Sequence, residues 1–503
     1  MDAVEFIISR ILAGERNLDA IKREASRKYR VMVKNPQVLA GFPEDKLTDE
    51  IRALLLKKPT KTLSGVTPVA VMIRPENSCR WGCIYCPFTG VAAKSYTGFE
   101  PAAMRAKQFN FDPYLQASNR VKQFEGGGHA TDKCEVIVMG GTFLGMDQGY
   151  KDSFIKGVYE GLNGERSNTL EDAIAKNETS RHRVVGLTIE TRPDMCNVDE
   201  MLSYGATRCE LGVQHADDEI YRLVNRGHNV RDVTDSTKKL KDSGFKVLYH
   251  IMPGLPGTSP EKDIEFVKKL FQDPLFKPDM LKIYPTLVVE GTILHEWTKQ
   301  GKYQPYTAEQ SADIISEFYR YIPGYVRVMR IQRDIPAGKI ESGVKKSNLR
   351  ELVESKIREK SIRPKEIRYR EVGLNKESTL EFSLHTTSYE ASDGKEIFLS
   401  YENDDGLIAG FARLRFPGNS PREEITGNGA LIRELHVYGS SVPISSKGKI
   451  QHHGIGMSLL RHAEEKALEN GYEKMVIISG VGVRQYYAKH GYSRLGPYMA
   501  KTL

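Results

Sequence analysis

At 503 residues the chain can form two or three domains, each with its own core. Hydrophobic residues make up 40% and charged residues 27%, as in ordinary soluble proteins, and no apolar run approaches the ~20 residues of a membrane span, so no membrane role is expected. The start Met1-Asp2-Ala3-Val4-Glu5 lacks the features of a signal peptide, which points to the reducing cytoplasm. The net charge of +8 is unevenly spread: Ala20 to Lys34 carries six Lys/Arg against one acid, and Tyr325 to Arg370 fourteen against six. One such stripe reads as a solvated helix face, whereas two beside enzymatic domains suit a polyanion such as nucleic acid.

Residues 1–61 read as a small basic helical module. Ile7, Ile8, Ile11 and Leu12 sit at helical spacing, Leu47 to Leu56 repeats the pattern, and Asn35-Pro36 and Phe42-Pro43 interrupt it. From residue 62 to 345 short apolar strands alternate with helical sequence. They are Val69 to Ile73, Cys134 to Met139, Val184 to Ile189, Cys209 to Val213, Lys246 to Met252 and Met280 to Tyr284. That alternation predicts an α/β fold with a parallel sheet, a complete or partial (β/α) barrel whose sites lie at the C-terminal strand ends.

The first strand runs into Cys79-Arg80-Trp81-Gly82-Cys83-Ile84-Tyr85-Cys86. Three thiolates at C-x3-C-x2-C spacing can hold three irons of a [4Fe–4S] cluster and leave the fourth open for S-adenosylmethionine (SAM), whose reductive cleavage gives a 5′-deoxyadenosyl radical. A structural zinc would want a fourth ligand, and a disulfide would leave one thiol over. The pattern resembles the radical-SAM superfamily. Strand ends supply a matching rim. Gly140-Gly141-Thr142 lets a ligand approach the backbone (or forms a plain tight turn), Glu190 offers a carboxylate for ribose hydroxyls, Arg192 a guanidinium for a carboxylate, and Gln214 ends the fourth strand.

Strand alternation ends after Ile331, and residues 346–368 read as a basic linker. Residues 369–503 read as an antiparallel sheet, Thr379 to Leu384, Glu396 to Tyr401, Leu407 to Arg415 and Ala430 to Val437. Gln451-His452-His453-Gly454-Ile455-Gly456-Met457 then opens a helix, an anion cradle at a helix N-terminus, followed by a strand and Tyr486-Tyr487. The order is that of GCN5-related acetyltransferases (GNAT), in which the cradled pyrophosphate belongs to coenzyme A. A tyrosine here can protonate the leaving thiolate, although such a pair also suits plain helix packing.

A radical-SAM barrel joined to an α+β GNAT domain is a rare combination. Thr62 to Met72, Ser95 to Pro101, Arg333 to Pro336, Glu434 to Gly439 and Gly496 to Met499 resemble the catalytic subunit of Elongator over essentially the whole chain. The resemblance implies a tRNA-modifying acyltransferase that forms 5-carboxymethyluridine at wobble uridine 34 from SAM and acetyl-CoA. It implies Cys79, Cys83 and Cys86 as cluster ligands and Lys133 as a residue against acetyl-CoA. It also implies that Glu434, Leu435, His436, Val437, Ile455, Gly456, Met457 and Tyr487 contact coenzyme A. The partner is the tRNA anticodon stem-loop. A homodimer is left open, and no obligatory accessory subunits are expected. The short cysteine loop resembles prokaryotic, archaeal members. The stretch Arg363 to Gly373 lacks the cysteines of some relatives, so no linker zinc is expected. The chemistry requires the two domains to pack with their sites adjoining. The competing reading is a protein lysine acetyltransferase on a structural radical-SAM platform.

Overall fold

The computed structural model describes the chain apart from residues 57–61, 63–64, 77–78, 375–380 and 439–453. Helices Ala3–Leu12, Leu18–Tyr29, Asn35–Gly41 and Asp49–Leu55 form the N-terminal module. Asp2 and Glu5 close a capping box on the first helix, and Asn17 caps the second. Phe6, Ile7, Ile11, Ile21, Val38 and Leu55 share a core separate from the rest of the molecule. The opposite face of Leu18–Tyr29 keeps Arg23, Arg27 and Lys28 exposed, and Arg30 and Lys34 follow, also exposed.

Strands β1 (Thr67–Met72), β2 (Lys133–Met139), β3 (Arg183–Thr191), β4 (Arg208–Gln214), β5 (Lys246–Ile251), β6 (Met280–Ile283) and β7 (Arg327–Ile331) pair in chain order, all parallel. Side chains of β2, β4 and β6 meet across the concave face, as an open, partial barrel requires: Arg208 donates to Glu135, and Lys282 to Glu210. The sequence reading found six of these strands. It missed β7, whose Arg-Val-Met-Arg-Ile run reads as part of a basic stripe. Part of that stripe's charge is already paired: Arg327 with Glu371, Lys346 with Glu309, Lys360 with Asp313 and Glu317, and Arg370 with Glu402. Helix Leu349–Glu359, within the stretch expected as a linker, buries Leu349, Val353 and Ile357 in the barrel core.

The C-terminal sheet has β8 (Ser383–Ala391), β9 (Gly394–Glu402), β10 (Ile408–Phe416), β11 (Gly429–Val437), β12 (Lys474–Ile477), β13 (Ser493–Leu495) and β14 (Tyr498–Thr502), in the order 13-14-12-11-10-9-8. β11 and β12 run parallel; the other neighbours are antiparallel. β8 lies further along the chain than Thr379 to Leu384, because Ser392 and Asp393 (φ 51° and 58°) make the two-residue turn into Gly394 and so fix the register. Helix Ile455–Glu469 covers one face, setting Leu459, Leu460 and Ala463 against Leu399, Leu414 and Ile432.

The other face abuts the N-terminal ends of the barrel strands. A bulge opposite Arg413/Leu414 leaves Arg433 out of the β11 ladder, between Ile432 and Glu434, and breaks the alternation. Arg433 grips Asp279, just before β6, through two bonds of 2.6 and 2.8 Å and also reaches Glu396 at 2.8 Å. Arg415 holds Asp242 at 2.5 Å and Glu396 at 3.0 Å, and Lys241 lies 3.4 Å from Asp279. All these side chains are at most 1% exposed. Burial alone would raise the Glu396 carboxyl; Arg433, Lys241 and Arg415 outweigh it and bring it down to about 2. Its stabilising effect is therefore complete above the ordinary carboxylate range and is lost as pH falls through about 2. Arg433→Ala strands two buried carboxylates and should cost about 3–5 kcal/mol. Urea unfolding should show this as a lower midpoint, and the variant should unfold at a higher pH on acidification than the parent.

Candidate active site

β1 delivers the chain to the cysteine loop at the C-terminal end of the barrel. The Cys86 N–H donates to the Cys83 carbonyl (3.0 Å), and Lys94 Nζ donates to the carbonyls of Cys79 (2.9 Å) and Trp81. The three thiols and the ends of β2–β7 line a pocket with about 1170 Å³ of empty space, its open mouth included. Among the described residues the trio whose ligand atoms all lie within 4.8 Å of one another is Glu190, Glu210 and His250. The three thiols do not form such a group, so as placed they do not close on one zinc with ~2.3 Å bonds, and three thiols facing one pocket suit three corners of a cluster. Burial, then the neighbouring Cys83, pushes the Cys86 thiol up to about 12, so metal binding there displaces a proton.

Of the expected rim, Gly141, Thr142, Glu190, Arg192 and Gln214 line this pocket. Gly141 has φ 68°, and a Cβ on it would fall 2.9 Å from Ser95 Oγ. Gly140 sits behind the wall, donating its N–H to Glu190 (3.3 Å), with room for no Cβ because Ile73 would lie 2.4 Å away. Tyr96 donates to Glu190 at 2.7 Å, which fixes the carboxylate. Arg192 holds Asp194 with two bonds (2.8 and 3.1 Å), yet its Nη1 is buried without a partner, as are Thr191 Oγ1 and Gln214 Oε1. Gln214 itself has φ 69°, a strained conformation for a residue with a side chain. These orphaned groups fit the carboxylate, ammonium and ribose of a SAM-like ligand.

The sequence reading missed the charges deeper in the lumen. Glu210 accepts from His250 Nε2 (2.7 Å) and from Lys282, and its other oxygen lies 3.7 Å from Arg208 Nε. Burial would raise this carboxyl, but Lys282, His250 and Arg208 hold it far below the usual range. Arg208 passes the chain of charges on to Glu135, which Arg208, Lys246 and His436 keep low against the effect of burial. The signal was available: Glu210, His250 and Lys282 each stand singly inside an apolar strand, on the alternation that points to one face.

At the other end of the barrel lie the residues expected to hold coenzyme A. β11 pairs with β12 only as far as Ile432↔Ile477, so Glu434–Val437 leave that neighbour and present a backbone edge able to take an extended, amide-bearing ligand. Glu434 and His436 turn toward the barrel, and Leu435 toward the core under the helix. Gly454 (φ 87°) opens the helix with no side-chain cap, which leaves the N–H groups around Ile455, Gly456 and Met457 for an anion. A Cβ at Gly456 would lie 3.2 Å from the Tyr486 hydroxyl and 3.6 Å from Val437, so these three converge. Burial raises the Tyr486 phenol. Tyr487 is buried in the core beneath the helix. Lys133 begins β2 at this same end of the barrel, and burial lowers its ammonium. Gln451 lies outside the described residues.

The radical SAM superfamily model matches residues 73–270, a radical SAM C-terminal domain 278–359, and the acetyltransferase (GNAT) family 363–492. The tRNA uridine(34) acetyltransferase of Methanocaldococcus jannaschii is 47% identical over 97% of this chain and 94% of its own length. Human Elongator complex protein 3 is 40% identical over 97% and 93%. The solved structure of an N-terminally deleted Elp3 from Methanocaldococcus infernus superposes with a TM-score of 0.79 at 44% identity, covering 88% of this chain and all of that one. The chain belongs to the Elp3 family. Its radical SAM domain implies a [4Fe–4S] cluster and SAM, and its GNAT domain implies acetyl-CoA. The two are joined in one polypeptide, and no described helix is long and apolar enough to cross a membrane. Lys94→Met removes the ammonium that donates to the Cys79 and Trp81 carbonyls. Iron content after anaerobic reconstitution should fall by about half or more, with the thermal unfolding midpoint within a few degrees of the parent.

Proposed function

We propose that this chain joins the methyl carbon of acetyl-CoA to C5 of uridine 34 in tRNA: one methyl hydrogen would pass to the 5′-deoxyadenosyl group of SAM, the C5 hydrogen would leave as a proton with one electron returned, and water would release coenzyme A, leaving a carboxymethyl group. The observation that carries this reading is the buried column of charges from the cluster pocket through Glu210, Arg208 and Glu135 to the acetyltransferase edge. A barrel used only as a platform would fill its lumen with apolar layers. β2 spans seven residues, about 20 Å at ~3.3 Å each, so the cluster pocket and the acetyltransferase edge stand at opposite ends of the barrel, bridged by these paired charges rather than adjoining as expected.

Cys79, Cys83 and Cys86 hold the cluster, whose chemistry with SAM is the supply of a carbon-centred radical. Arg192, Gln214 and the backbone at Gly141-Thr142 hold the amino-acid end of SAM, and Glu190, fixed by Tyr96, takes its ribose. Glu434 to Val437, Lys133 and the helix start at Gly454 to Met457 hold coenzyme A. Tyr486 keeps its proton at neutral pH because burial raises it, as a donor to a leaving thiolate must; Tyr487 supports its ring from below at 5.3 Å. In this reading residues 1–61 grip the tRNA, 62–345 form the barrel, 346–368 bridge, and 369–503 carry the acetyl donor.

The test is anaerobic incubation with SAM, a reductant, uridine-34 tRNA and carbon-labelled acetyl-CoA. Label should appear at C5 and vanish in Cys83→Ser. A lysine acetylase would ignore both the tRNA and that substitution. Reversing Arg23, Arg27 and Lys28 to Glu should weaken tRNA binding tenfold or more. Its salt dependence should flatten by about 0.7–0.9 log units for each phosphate no longer neutralised, read by filter binding.

A further inference from the structure

Residues 224–228, between helices Asp218–Leu223 and Val230–Asp242, follow the cysteine loop step by step. The Ile84 N–H donates to the Val224 carbonyl (3.1 Å), and Asn225 Nδ2 donates to the Gly82 carbonyl (3.0 Å). Gly227 (φ 79°) lies flat on Trp81, where a Cβ would come within 2.0 Å of the indole. Between them Arg226 Nη1 donates to Cys83 Sγ at 3.6 Å, and its Nη2 donates to the Gly212 carbonyl of β4.

Arg226 is 7% exposed, its Nε has no partner, and among the described residues it forms no ion pair with a carboxylate. A buried guanidinium without an anion is costly, several kcal/mol at the least. The other deep arginines of this chain obey that rule: Arg192, Arg208, Arg413, Arg415 and Arg433 each face an acid. Arg226 faces a cysteine sulfur instead, so its anion is the metal-bound thiolate.

We infer that Arg226 is the counter-ion of the cluster and a positioning residue that raises its reduction potential. A reduced cluster carries one more negative charge than an oxidised one. A fixed cation bonded to a ligand sulfur in a desolvated pocket therefore stabilises the reduced form more. Arg226, bonded to a ligand sulfur, makes the cluster easier to reduce. The inference rests on the cluster assignment of the three thiols.

The experiment reconstitutes the full-length protein and its Arg226→Gln, Arg226→Lys and Asn225→Ala variants anaerobically. Iron and sulfide are counted, and the cluster is titrated by electron paramagnetic resonance at defined potentials. At the parent's midpoint, Arg226→Gln should hold the parent's iron with a reduced-to-oxidised ratio at least tenfold lower, equivalent to about 59 mV for one electron. Arg226→Lys, which keeps the charge, should fall between the two. Asn225→Ala, which loosens the loop without removing charge, should titrate with the parent. A parent midpoint in iron-replete Arg226→Gln overturns the inference, as does an equal shift in Asn225→Ala. Loss of iron from both Arg226 variants makes the residue a mechanical clamp and overturns it too. If the parent itself assembles no cluster, the assignment beneath both proposals fails.

Discussion

The arrangement depends on the grip of Arg433 on Asp279. Asp279 sits at the N-terminal end of β6, Arg433 at a bulge in β11, and Glu396, Arg415, Asp242 and Lys241 complete a buried lattice in which every acid meets a base. Such lattices add little net stability compared with an apolar contact, but they tolerate only one relative placement of their partners. Apolar packing would allow the sheet to slide against the barrel. The ion lattice fixes Glu434 and His436 over the lumen, and with them the edge proposed for coenzyme A.

That placement gives the barrel an unusual interior. Parallel barrels generally fill with layers of branched apolar side chains. Here Glu135, Arg208, Glu210, His250 and Lys282 stand inward on β2, β4, β5 and β6, and their bases hold both carboxylates below the usual range. Two atoms left without hydrogen bonds, Glu210 Oε1 and Arg208 Nε, face one another at 3.7 Å. The same logic extends to the cluster loop, where an arginine without an acid is matched to a sulfur.

What the sequence made legible was local. The C-x3-C-x2-C loop, the glycines after β2 and the glycine-opened helix at Gly454 each put their chemistry within a few residues, and the strand–helix alternation announced the barrel. What stayed hidden was pairing at a distance: Arg433 with Asp279 is 154 positions away, and Arg226 with Cys83 is 143. Strand β7 was masked because its inward arginines made it resemble a charged surface. β8 was misplaced because the Ser392-Asp393 turn, not the apolar pattern, sets its register. The stripe from Tyr325 to Arg370 looked like a phosphate-binding surface, since composition counts charges without showing which are already paired.

The central claim is that the two ends of one barrel act on the same two-carbon unit. The most direct measurement uses acetyl-CoA with a fully deuterated methyl group in an anaerobic reaction with SAM, reductant and uridine-34 tRNA, and weighs the 5′-deoxyadenosine released. The account predicts deuterium in that product. Unlabelled 5′-deoxyadenosine formed alongside modified tRNA would contradict it.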